Sequence, residues 1–144
     1  MDALARLTIE AECTRLMNRF SWAVDAMDYD QVVSLFTSDC VFGRADKFFQ
    51  GHAGLRQSLE SRPKDRVTRH FASNIIIDVA DADNAAGKAY CLVFGHRGAL
   101  PAGAEAPLGV PDSLILYDVK FVRTPEGWRI ARWHIGLSFR KPAA

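Results

Sequence analysis

TRHFASNIIIDV, residues 68–79, is the stretch on which the fold turns. It is rich in β-branched and aromatic residues, carries no Gly or Pro, and alternates in the manner of a strand with one covered face. Strict alternation groups His70, Ala72, Asn74 and Ile76 on one side. Extended to its limits it predicts a strand over Arg66–Val79, and three further segments share its character: Ala86–Arg97, Ser113–Arg123 and Trp128–Phe139. The clusters Asp-Ala-Asp-Asn at 81–84 and Thr-Pro-Glu-Gly at 124–127 join neighbouring strands as hairpins. Between Gly98 and Asp112 the chain holds Pro101, Gly103, Pro107, Gly109 and Pro111, which predicts an irregular loop at a rim or lid.

Upstream the periodicity changes. From Ala3 to Met27, Ile9, Cys13, Leu16, Phe20, Val24 and Met27 recur at helical spacing without Gly or Pro. Asp28 to Gln31 reads as a capped start for a short second helix, with Val32, Val33, Leu35 and Phe36 as its apolar face. Thr37, Ser38 and Asp39 break that pattern, Cys40 to Phe42 reads as a short strand, and a third helix runs from Gly51 toward Pro63. Helices first and long strands after them imply an α+β domain, residues 1–144, with helices packed on one face of a strongly curved sheet. Such a cone can enclose a pocket for a small ligand.

With 144 residues, 49% of them hydrophobic, the chain suits a single core. Its 18 basic and 17 acidic residues leave a net charge of +1, so no clustered charge points to nucleic acid or an anionic membrane as a partner. No apolar run reaches the roughly 18 residues of a membrane span. Cys13, Cys40 and Cys91 form no CxxC pair, which fits reduced thiols and a cytoplasmic protein.

The chemistry has few candidate carriers. Phosphate loops, dinucleotide fingerprints, nucleophile elbows and HExxH are all missing, and His52, His70, His96 and His134 lack metal-ligand spacing, so no metal and no cofactor is expected. Asp25 ends the long helix, where a carboxylate opposes the helix dipole. On the helical wheel it falls with Thr14, Asn18 and Ser21 beside Trp22, apart from the Glu12, Arg15 and Arg19 face. It is either a solvated acid at a helix end or an acid placed for a purpose. His70 is either a core histidine satisfied by a carbonyl or Asn74, or a base. His96 shares a strand face with Tyr90, Leu92 and Phe94. Trp22, Phe42, Phe71, Phe94, Tyr117 and Trp133, together with Asn74, are candidate substrate contacts, although each aromatic could equally be core packing.

The segments VDAMDYD (24–30) and TRHFASN (68–74), in this order of elements, resemble the SnoaL-like branch of the cone-shaped α+β superfamily, which includes scytalone dehydratase, hexachlorocyclohexane dehydrochlorinase and ketosteroid isomerase. The resemblance covers nearly the whole chain. It implies a strongly curved mixed sheet covered on its concave side by three helices. Asp25 matches the family's acid, His70 its histidine base, and VFGH at 93–96 places His96 where the dehydratase has its second histidine. Trp133 falls where the dehydrochlorinase has a pocket arginine. The activity so implied is that of a cofactor-independent lyase or isomerase acting on a small apolar cyclic molecule. A ligand-storing module and an oxygenase small-subunit-like assembly protein are the alternatives. The resemblance also implies a homo-oligomer, a trimer, with the strand of Trp133, Ile135 and Leu137 as a contact surface.

Overall fold

The computed structural model describes residues 1–142, so the last two residues of the expected 1–144 domain lie outside it. The order of elements is α1 (Ala3–Asp25), α2 (Tyr29–Ser34), β1 (Phe36–Arg44), β2 (Lys47–Gln50), α3 (Gly51–Glu60), β3 (Arg66–Val79), β4 (Asn84–Arg97), β5 (Ser113–Thr124) and β6 (Gly127–Arg140). The strands form one sheet in the order β2-β1-β6-β5-β4-β3. Neighbours are antiparallel except β1 and β6, which run parallel, so the sheet is mixed. With its helices on the concave side, this is the α+β cone that the sequence implies.

The core lies between α1 and the inner sheet face. Cys13, Met17, Phe20 and Val24 of α1 are buried. Phe20 stacks on Trp133 with ring centroids 4.0 Å apart, and Tyr117 meets the same indole edge-on at 4.6 Å. Phe42 is buried beside them. These aromatics fill the closed end of the cone, and their large apolar areas make them its main packing contribution. Gly87 lets α1 approach: a Cβ there would meet Phe121 at 2.8 Å and Met17 at 3.4 Å.

Three local readings of the sequence are corrected. Thr37–Asp39 belong to β1 and do not precede it; the ladder to β6 is shifted between Phe36 and Val41, so these polar residues occupy an irregular stretch of strand. β2 gave no sequence signal because it is short and largely exposed, an edge strand hairpinned to β1 through Ala45 at φ +52°. In β3 the alternation changes at Asn74, whose φ is +53° and where the pairing to β4 shifts between Ser73 and Ile76. This β-bulge inserts one residue. Thr68, His70 and Ala72 therefore turn inward, as do Ile75, Ile77 and Val79, while Asn74 and Ile76 face out.

The expected contact surface of Trp133, Ile135 and Leu137 is corrected in part. Trp133 is fully buried and Ile135 lines an interior cavity, so that face of β6 points into the cone, and Leu137 alone is exposed, at the open mouth. The exposed apolar face is the outer one, where Phe71, Tyr90, Leu92, Leu116 and Phe139 are 58, 50, 39, 39 and 69% exposed.

Candidate active site

The end of α1 is held by backbone hydrogen bonds from Met27 N–H to Val24 O (3.1 Å) and from Asp28 N–H to Ala23 O (2.9 Å). This is a Schellman closure, with Met27 at φ +54° where Gly is usual. Asp28 then caps α2 by accepting from the Gln31 N–H at 3.0 Å. The sharp stop leaves Asp25 as the last residue of α1, facing the inward-turned half of β3.

Asp25 and His70 are brought together. Asp25 Oδ1 accepts from the ring Nδ1 of His70 at 2.6 Å, and Oδ2 accepts from the His70 backbone N–H at 2.8 Å. Thr68, one turn of the strand pleat earlier on the same face, donates its hydroxyl to Oδ1 at 2.8 Å. Arg62 in turn donates to that hydroxyl oxygen at 2.8 Å and to Val24 O at 3.2 Å. The Asp25 and His70 side chains are 10 and 13% exposed. Burial by itself would raise the Asp25 pKa; the ring hydrogen bond and charge of His70, its backbone N–H and the Thr68 hydroxyl outweigh that and hold it below 3.8. A carboxylate on Nδ1 fixes the tautomer with the proton there and leaves Nε2 as the basic nitrogen. Among the described residues no protein group bonds Nε2.

Three spaces adjoin His70. An inner cavity of about 40 Å³ is lined by His70, Tyr117, Phe20 and three arginines, Arg44, Arg62 and Arg66. It shares Arg44, Arg66, His70 and Ile135 with an open mouth of about 1010 Å³. On the flank, between α1 and β3, a groove of about 480 Å³ contains Trp22, Asp25, His70 and Phe71. Tyr117 lies against Cys91 and Ser21, its hydroxyl completing no hydrogen bond among the described residues. Burial pushes its pKa well above 10.0, which keeps it a neutral donor.

Other expected site residues lie elsewhere. His96 is separated from His70 by strand parity: His70 pairs with Val93 and faces in, whereas His96 pairs with Val67 and faces out with Phe94. Both line a shallow space of about 140 Å³ under the 98–112 loop. The expected three-residue set of Asp25, His70 and His96 is therefore not assembled within one chain. Asn74 is exposed at the bulge and outside these cavities. Trp22, 78% exposed, and Phe71 stand at the rim of the flank groove, Phe42 is buried but lines the inner cavity with His70 and Tyr117, and Trp133 is core.

Sequence reasoning missed Thr68 and the arginines. Thr68 was legible in the alternation, two residues before His70. Arg44, Arg62 and Arg66 come from the end of β1, the segment after α3 and the start of β3, and no local pattern joins them. Among the described residues no three His, Cys, Asp or Glu side chains gather closely enough to hold a metal ion, and no helix is long and apolar enough to cross a membrane.

Comparison with known proteins adds the following. The family model described as the SnoaL-like domain matches residues 5–134. An uncharacterized protein of Mycobacterium tuberculosis (strain ATCC 25618 / H37Rv) is 30% identical over 146 residues, covering 92% of this chain and 87% of its own. Among solved structures, a candidate scytalone dehydratase from Novosphingobium aromaticivorans DSM 12444 is similar with a TM-score of 0.83 and 19% identity, over 99% of this chain and 93% of that one. The hexachlorocyclohexane dehydrochlorinase LinA-type3 from Novosphingobium barchaimii LL02 is similar at 0.79 and 18%, over 99 and 95%. At such identities the solved structures establish a common fold.

Proposed function

This chain belongs to the SnoaL-like domain family, and from that premise we propose that it is a cofactor-independent lyase or isomerase, with His70 taking a proton from carbon of a small, largely apolar cyclic molecule. The observation that carries the reading is the 2.6 Å hydrogen bond from His70 Nδ1 to Asp25, with Nε2 left without a protein partner beside open space. Asp25 orients the ring and balances the imidazolium formed when the proton arrives. The neutral Tyr117 hydroxyl, which lines the inner cavity with His70, is a candidate to donate to a developing oxyanion. His96, on the outer face, has no part in this chemistry within one chain. Likeness to a dehydrochlorinase and a candidate dehydratase supports elimination over other uses of such a base. The three unpaired buried thiols support a cytoplasmic setting.

Hydroxylated bicyclic ketones, halocarbocycles and steroids form the screen, first by thermal shift and then by product formation, since ligand binding stabilises the folded state. A general base contributes roughly 100-fold to 10,000-fold, so His70→Ala is expected to lose at least that much turnover while remaining folded. Full activity in folded His70→Ala would refute the scheme. Binding without any turnover in the wild type would favour a ligand-storing module.

A further inference from the structure

The inner cavity is more basic than an apolar substrate requires. Arg44, Arg62 and Arg66 converge on it beside His70, and Arg97, Arg140 and Lys141 line the mouth beyond. The counter-charge is thin. Among the described residues neither Arg44 nor Arg62 has a carboxylate within ion-pair distance, and Arg66 has only Asp112 at 3.6 Å. Asp25 reaches Arg62 only through the Thr68 hydroxyl and is already engaged by His70. Arg62 is 7% exposed and its Nε, like that of Arg66, is buried without a partner. Arg44 makes no side-chain hydrogen bond among the described residues. Burial, followed by the charges of Arg62 and Arg66, lowers the pKa of Arg44.

Arginines gathered for structure alone meet carboxylates or carbonyls, because an uncompensated guanidinium away from water is costly. Here Arg62 meets Val24 O and the Thr68 hydroxyl and Arg66 meets one carboxylate at 3.6 Å, whereas Arg44 meets neither kind of partner, so donors of Arg44 and Arg66 remain available. We propose that the site binds a small organic carboxylate, its anionic oxygens held by Arg44 and Arg66 over the Arg62 platform, next to His70. The inner cavity suits a group of a few atoms, and guanidinium and carboxylate match as two-pronged partners. Val93, Ile115, Ile135 and Leu137 at the mouth take the apolar body. The proposal deepens the reading of His70 as a base. As a C–H bond next to the carboxylate breaks, its proton goes to Nε2 and its electron pair spreads onto the carboxylate oxygens, where the arginines offset the added charge.

The test measures binding and needs no turnover. Benzoate and cyclohexanecarboxylate are titrated calorimetrically against benzamide, cyclohexanecarboxamide and inorganic phosphate at matched ionic strength. One lost charged hydrogen bond corresponds to about tenfold or more in affinity, so the acids are expected to bind at least about tenfold tighter than the amides, and also tighter than phosphate. Arg44→Gln and, separately, Arg66→Gln should remove that preference, while Arg123→Gln, on the exposed pair with Glu12, keeps it. The ligand-free Tm of Arg44→Gln should equal or exceed the wild type, because a repelling cation is removed and no ion pair is lost. His70→Ala should bind benzoate as the wild type does, so a failed base and a failed anion subsite give different results. Equal binding of acids and amides, phosphate binding as tightly as benzoate, equal loss in Arg123→Gln, or a lowered Tm in Arg44→Gln would each overturn the proposal.

Discussion

Asp25→Asn tests the dyad without knowledge of a substrate. The carboxylate accepts from His70 Nδ1, the His70 backbone N–H and the Thr68 hydroxyl at 2.6, 2.8 and 2.8 Å. An amide of the same shape offers one acceptor oxygen in place of two; with its NH₂ at the Oδ2 position the bond to the His70 backbone N–H becomes a donor–donor conflict, and the two bonds at the remaining oxygen lose their charge assistance. At about 1.5–3 kcal/mol for a hydrogen bond to a charged group, the variant should be destabilised by about 3 kcal/mol at neutral pH. Both side chains are mostly buried, so solvent screening takes little from this figure. The sign with pH follows from the depressed Asp25 pKa. A carboxyl whose folded value lies below its ordinary 3.8 contributes stability in full above that value and loses it as pH falls through the lower folded value. Asn does not titrate, so the gap between wild type and variant should be constant above about pH 5 and shrink below about pH 4. Urea unfolding with the slope held in common reads the gap directly at pH 7 and pH 3.5. A gap under 1 kcal/mol at neutral pH, or one that does not narrow in acid, would refute the account of Asp25 as a buried, multiply bonded carboxylate.

Other expectations rest on separate features. Asn74→Val places a β-branched residue at φ +53° and should cost about 1–2 kcal/mol in thermal or urea unfolding, whereas Asn74→Gly should be near neutral. If the trimer that the family resemblance implies forms through the exposed outer face, replacing Leu92 with Glu there should convert it to monomer in sedimentation velocity without lowering monomer stability; a wild type that sediments as monomer would end that expectation. Burial pushes the Cys13 thiol up to about 12 and the Cys40 and Cys91 thiols to about 11, so a disulfide reagent at pH 8 should modify none of them until urea unfolds the chain.

Where local pattern and tertiary placement agree, the sequence could be read directly. The long strands and α1 carry residue preferences and periodicity strong enough to be recognised from within their own length; Arg66–Val79 has the expected limits, and the third helix starts at Gly51 as expected but ends at Glu60, short of Pro63. β2 was not legible because four exposed edge residues need no apolar rhythm. The Asn74 bulge was misread because strict alternation assumes a residue count of two per pleat, and one αL residue adds to that count. His96 carries a plainer lesson. Continued unbroken from the turn, where Val79 pairs with Ala85, the register would set His70 opposite Phe94 and on one face with His96; the shift at the Asn74 bulge pairs His70 with Val93 and His96 with Val67 instead, and so parts the two. The arginines could not be found this way, since their convergence belongs to the closure of the cone and to no single segment.

Removing residue 74 from the register would leave every inward and outward side chain of β3 on its present side, because the bulge only adds one position between two correctly phased halves. What would change is the bend of the strand that bears His70 at one end and packs under α1 at the other. The width of the hollow is thus adjustable by a position that touches nothing inside it. An insertion or deletion at this one position would resize the hollow while keeping the same lining side chains.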